Sequence, residues 1–259
     1  MDWLYPLSGL LVGLIVGLTG VGGGSLMTPL LVLGFGISPA TAVGTDLLYA
    51  ALTKAGGTVA HQQKSNINWR IVGLLGAGSV PAAIITVYVL HALGTQSKAF
   101  NSIITTTLGV ALILTALSII LRGLFQKQDD GREFLRTLAI SRGTAINTVI
   151  VGLTLGVLVT VSSVGAGALG TLALFLLYPR LSARQVVGTD IAHAVPLTLI
   201  GGLGHAALGT VDFTLLGSLL LGSLPGIWLG SHLSSHVPER ILRSLLATML
   251  FIIGGKFVL

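Results

Sequence analysis

The stretch Ser38-Pro39-Ala40-Thr41-Ala42-Val43-Gly44-Thr45-Asp46 returns later in the chain as Ser182-Ala183-Arg184-Gln185-Val186-Val187-Gly188-Thr189-Asp190. The same offset of 144 residues relates His61 to His205, Gly73 to Gly217, and Gly78-Ser79-Val80-Pro81 to Gly222-Ser223-Leu224-Pro225. The chain is therefore a duplicated half. Both aspartates lie within apolar sequence, where a carboxylate at the centre of a membrane helix costs about 2.5–3.5 kcal/mol. Carrying that cost at equivalent places in both halves points to a shared site inside a membrane.

Composition sets the class. Hydrophobic residues make up 53% of the 259 residues, charged residues 8%, and the mean hydropathy is +0.94, a balance that a water-soluble surface does not accommodate. The apolar runs are of helix length and broken by Gly and Pro, without the short alternation of an outer-membrane barrel, so the spans are helical. The start, Met1-Asp2-Trp3, lacks the basic residues of a secretory signal, and the first segment is expected to stay in the mature protein. There is no cysteine, hence no thiolate chemistry.

Hydrophobic segments fall at 4–20, 24–37, 43–60, 70–93 and 99–121, then at 143–161, 168–178, 185–206, 213–233 and 241–258. This predicts an all-α polytopic membrane protein with a first repeat over 1–121, a cytoplasmic linker over 122–142 and a second repeat over 143–259. An odd number of segments per repeat turns the second copy over, giving inverted-topology repeats. Charge agrees. With the loop at Lys64 in the cytoplasm, all of the 14 basic residues lie inside except Lys98 and Lys256 outside and Lys54 within the membrane. Both termini are then expected outside. The formal net charge of +6 reads as topology and attraction to anionic lipid headgroups, and no nucleic-acid surface is expected.

Segments 24–37 and 168–178 would rise only about 21 and 16 Å as helices, short of the roughly 30 Å hydrocarbon core. Each follows a small-residue break: Gly20-Val21-Gly22-Gly23-Gly24-Ser25, and Ser162-Ser163-Val164-Gly165-Ala166-Gly167. They are expected to be broken or re-entrant helices whose tips lie at mid-membrane, against protein or a wet cavity. Backbone N–H groups and the helix dipole converge at such a tip, where glycine admits an anion closely. Close helix packing is the competing role for these glycines.

The Gly-Val-Gly-Gly-Gly-Ser stretch followed by Pro29, the 38–46 segment and its echo at 182–190 resemble the TauE/SafE family of sulfite and organosulfonate exporters. The resemblance covers almost the whole chain. It implies a bacterial or archaeal inner-membrane permease for sulfite, sulfonates or related small oxyanions, with the site between the repeats. The candidate substrate-binding residues are Gly22, Gly23, Gly24, Ser25, Thr45, Ser163, Gly165, Gly167, Thr189 and Lys54. The second tip departs from the triple-glycine pattern at Ala166, so the two halves are expected to contribute unequally.

Asp46 and Asp190 read either as caps at the starts of their helices or, with His193 one turn beyond Asp190, as a proton or cation coupling site. Lys54 is equivalent to Thr198 and breaks the symmetry, either by snorkelling to the interface or by attracting the anion. No metal or cofactor is expected. An enzyme is disfavoured by the absence of cysteine and of any glutamate within the segments. An anion channel, or an uptake permease for another small anion, is the alternative.

The topology is testable by labelling single cysteines introduced at Met1, Gln128 and Leu259 in intact cells. The termini should react from outside and Gln128→Cys only after permeabilisation; a terminus on the same side as Gln128 rejects inverted repeats.

Overall fold

The computed structural model describes residues 3–19, 24–95, 97–125, 140–233 and 239–258. They form the helices α1 (Leu4–Thr19), α2 (Gly24–Phe35), α3 (Pro39–Gln63), α4 (Trp69–Leu93), α5 (Lys98–Phe125), α6 (Arg142–Ser162), α7 (Leu169–Leu177), α8 (Ala183–Ala207), α9 (Phe213–Leu233) and α10 (Glu239–Val258). No strand occurs among the described residues. The first tip, 20–23, and linker residues 126–139 lie outside the described residues. α4, α5, α6, α8 and α9 are long and apolar enough to cross a bilayer by themselves. Their outer faces expose large apolar side chains such as Ile84, Ile150, Leu203 and Leu221, which is the surface that lipid requires.

Helix starts follow local chemistry. The hydroxyls of Ser38 and Ser182 accept from the N–H groups of Thr41 and Gln185, with Pro39 preset for the first turn of α3 and Gln185 completing a capping box in α8. This corrects the capping role expected for the aspartates. α3 and α8 begin earlier than the apolar pattern suggests, which leaves Asp46 and Asp190 two turns inside their helices and fully buried.

The largest contacts join one half to the other: α1 lies along α9, α6 along α4, α3 along α8, and α5 along α10. The first two are equivalent pairs under the duplication. Small residues make them possible. Gly9 and Gly13 of α1 rest on the backbone of Leu219 and Ser223, and Gly152 and Gly156 of α6 rest on the equivalent Leu75 and Ser79. At each, a Cβ would fall within 2.5 Å or less of a carbonyl oxygen, so only glycine allows the approach. The packing role expected for many glycines thus falls mainly on α1, α4, α6 and α9.

Two of these glycines differ sharply in what they touch. A Cβ on Gly222 would collide with the Pro6 carbonyl, while one on Gly217 meets nothing within 4 Å. Gly222→Ala should lower stability by about 1–3 kcal/mol and Gly217→Ala should not, as read from thermal unfolding of the detergent-solubilised protein.

Candidate functional site

The Gly-Thr-Asp motif does three separate jobs. Gly188 packs against the Asn66 carbonyl and His61, and Gly44 against the equivalent Thr210 carbonyl and His205. Thr189 Oγ1 accepts from the backbone N–H of Asn68 at 3.0 Å, and Thr45 Oγ1 from that of Asp212 at 3.1 Å. Asn68 and Asp212 are equivalent and stand at the starts of α4 and α9; their own side chains accept from the first-turn N–H groups. Glycine and threonine therefore seat each repeat on the other. The threonine hydroxyls, expected at substrate, are engaged in that joint.

The aspartates, Asp46 on α3 and Asp190 on α8, are buried. Thr28 of α2 donates to Asp46 Oδ2 at 2.5 Å, while Asp46 Oδ1 has no hydrogen-bond partner. Ser163 lies close enough to act on the Asp46 charge, although its hydroxyl makes no hydrogen bond of ordinary geometry. Asp190 is different. Neither of its oxygens has a partner, and Oδ1 rests against Gly170 in the first turn of α7, a place that no Cβ could share.

Lys54 is buried at 8% exposure, which corrects the snorkelling alternative. Its ammonium donates to the Ala166 carbonyl at 2.9 Å and feels the charges of both Asp190 and Asp46. Thr198, its counterpart in the second repeat, donates to its own helix at the Ala194 carbonyl, 2.8 Å away. The buried centre therefore holds one ammonium and two carboxylates.

His193 does not bond to Asp190. Its Nε2 lies 2.8 Å from Ser79 Oγ on α4, and its Nδ1 is unpartnered. The duplication relates this pair to Tyr49 and Ser223, which also face each other. His205 is structural, with Nδ1 on Thr210 Oγ1 at 2.9 Å and Nε2 on the Thr160 carbonyl at 3.0 Å.

The second break, 163–168, links the end of α6 to α7. Ser163 caps α6 in the left-handed region at φ 59°, while Gly165 and Gly167 take φ 110° and 122°, values that suit only glycine. Its carbonyls are tethered: Ala166 accepts from Lys54, and Ala168 from Ser118 of α5 at 2.7 Å. Its N–H groups are not. Those of Gly165, Ala166, Gly167 and Ala168 have no acceptor among the described residues. The hydroxyls of Ser163 and Thr160 are buried close by in sequence and likewise unpartnered. Of the other expected site residues, Gly22 and Gly23 lie outside the described residues, Gly24 starts α2, and Ser25 is buried in its first turn. Sequence reasoning passed over Thr28, Thr160 and Ser79. A hydroxyl in an apolar helix is a common signal, and only its direction makes it part of a site.

A family model described as "Sulfite exporter TauE/SafE" matches residues 5–257. The chain is 41% identical over 253 residues to the "Probable membrane transporter protein YjnA" of Bacillus subtilis (strain 168), covering 97% of this chain and 98% of that protein. It is 31% identical to YdhB of the same organism, also called a probable membrane transporter protein, over 90% of this chain and 91% of that one. No solved structure matches it significantly.

The contact from Thr28 generates a prediction. Thr28→Val keeps the shape but strips the donor from a buried carboxylate, and should cost about 1–3 kcal/mol, whereas Thr28→Ser should recover most of the loss. Unfolding midpoints of the purified variants check this, and a silent Thr28→Val would remove the hydroxyl from the centre.

Proposed function

The chain belongs to the TauE/SafE sulfite exporter family and is a multi-pass membrane transporter, not an enzyme, and on that premise we propose that it exports small sulfur oxyanions such as sulfite or an organosulfonate. The observation that carries the proposal is the second break: four backbone N–H groups without acceptors, tethered by the one ammonium buried among the described helices. Backbone N–H groups in glycine-rich irregular chain hold oxyanions through hydrogen bonds and their dipoles. Lys54 adds charge, and the hydroxyls of Ser163 and Thr160 add donors.

The site lies between two inverted repeats, at mid-membrane, with α2 and α7 as the short helices of the two broken segments. Equivalent contacts across the duplication support this arrangement, as does the bias of basic residues that sets both termini outside the inner (cell) membrane. For a monoanion that crosses alone, the membrane potential, negative inside, favours outward movement by about 2.3 kcal/mol per 100 mV.

The test is flux from proteoliposomes loaded with sulfite, thiosulfate or an organosulfonate, with potential and pH gradient set separately. Saturating flux without unitary currents is expected, and unitary currents would make the protein a channel. Lys54→Gln removes a charge-assisted hydrogen bond and should weaken anion affinity about tenfold to a hundredfold. Failure of every anion to move, or unchanged affinity in Lys54→Gln, rejects the proposal.

A further inference from the structure

The two aspartates are equivalent in sequence and unequal in surroundings. Asp46 has a hydroxyl donor in Thr28 and a second hydroxyl, Ser163, facing it. The threonine of α7 is Thr171, one residue off the 144-residue register with Thr28. It turns to its own chain, donating to the carbonyls of Gly167 and Ala168, and gives nothing to Asp190. Asp190 is 1% exposed with both oxygens unpartnered. A buried carboxylate without donors is far costlier as an anion than as an acid.

The charges that reach Asp190 are few. Lys54 on α3 and Arg122 on α5 act on it. Its own helix offers His193, whose Nε2 is occupied by Ser79, with Arg184 and His205 elsewhere along it, and α3 adds Asp46, Tyr49 and His61, whose ring lies against Gly188. α7 carries no ionisable residue, α6 only Arg142 at its exposed start, and α4 only Arg70, Tyr88 and His91, all exposed. With both carboxylates ionised, Lys54 and Arg122 offset them. An incoming anion leaves one negative charge uncompensated. A proton on Asp190 restores neutrality as the anion arrives. No cluster of acidic or histidine residues able to hold a metal ion occurs among the described residues.

We propose that Asp190 alone is the proton site, that it takes one proton from water as an anion binds at the 163–168 break, and that proton and anion cross together. Asp46 stays ionised, held by the Thr28 hydroxyl. This rests on the anion reading above and makes the cycle electroneutral for a monoanion: the potential then drops out, and export runs when the outward gradient of the anion exceeds the inward gradient of protons.

The experiment is calorimetric titration of methanesulfonate, whose own charge does not change with pH, into the purified full-length protein in buffers of differing ionisation enthalpy. The wild type should take up about one proton per anion at alkaline pH, with affinity falling about tenfold per pH unit there. Asp190→Asn should bind with no proton uptake and a flat pH profile, and Asp46→Asn should still take up the proton. Binding by the wild type without proton uptake overturns this inference and leaves the anion site standing. Uptake that survives in Asp190→Asn, or vanishes in a folded Asp46→Asn, overturns the assignment to Asp190. Absence of any binding by the wild type, to methanesulfonate and to sulfite alike, overturns the anion site and this inference with it.

Discussion

The reciprocal seating of two threonines fixes the rest of the molecule. Thr45 holds the backbone N–H that opens α9, and Thr189 holds the one that opens α4. Each hydroxyl satisfies a backbone donor that no helix can satisfy for itself. Because the adjacent glycines admit the partner loop's carbonyl, α3 and α8 are drawn against each other. The next residue in each motif, an aspartate, is then carried into the interior. Two charges enter the protein as the geometric consequence of a joint.

Once inside, the two halves diverge. The first repeat supplies Lys54 and turns Thr28 toward its carboxylate; the second has Thr198 in place of Lys54, and Thr198 and Thr171 of α7 are each bonded to their own backbone. A perfect duplicate would bury two identical charges without compensation. The asymmetry assigns one ammonium to both carboxylates and leaves one of the two without donors. Fixed and exchangeable charge can then coexist within one symmetric frame.

Much of this was legible in the sequence. The helical membrane class, the places of the helices and the shortness of α2 and α7 followed from composition, apolar run lengths and glycine breaks, which report burial and backbone freedom directly. The aspartates were placed too near their helix starts because hydropathy falls across the polar Ser38-Pro39 and Ser182-Ala183 steps, although the serines are the caps. Lys54 was left between two readings because a long side chain can reach either an interface or a core, and only the tethered Ala166 carbonyl decides. The pairing of His193 with Ser79 was hidden for a related reason: a contact spanning 114 residues has no local pattern. Spacing along one helix suggested Asp190 instead.

The lengthwise packing of α1 on α9 bears on how the protein is made. α1 ends at Thr19 and α9 begins at Phe213, so the glycine face of the first helix has no partner until about 200 further residues have left the ribosome. At roughly 5–20 residues per second, that is a wait on the order of 10–40 seconds. During it, α1 sits in lipid with a groove built for another backbone. The first repeat is in the same sense an intermediate of synthesis, completed only by a partner that arrives last.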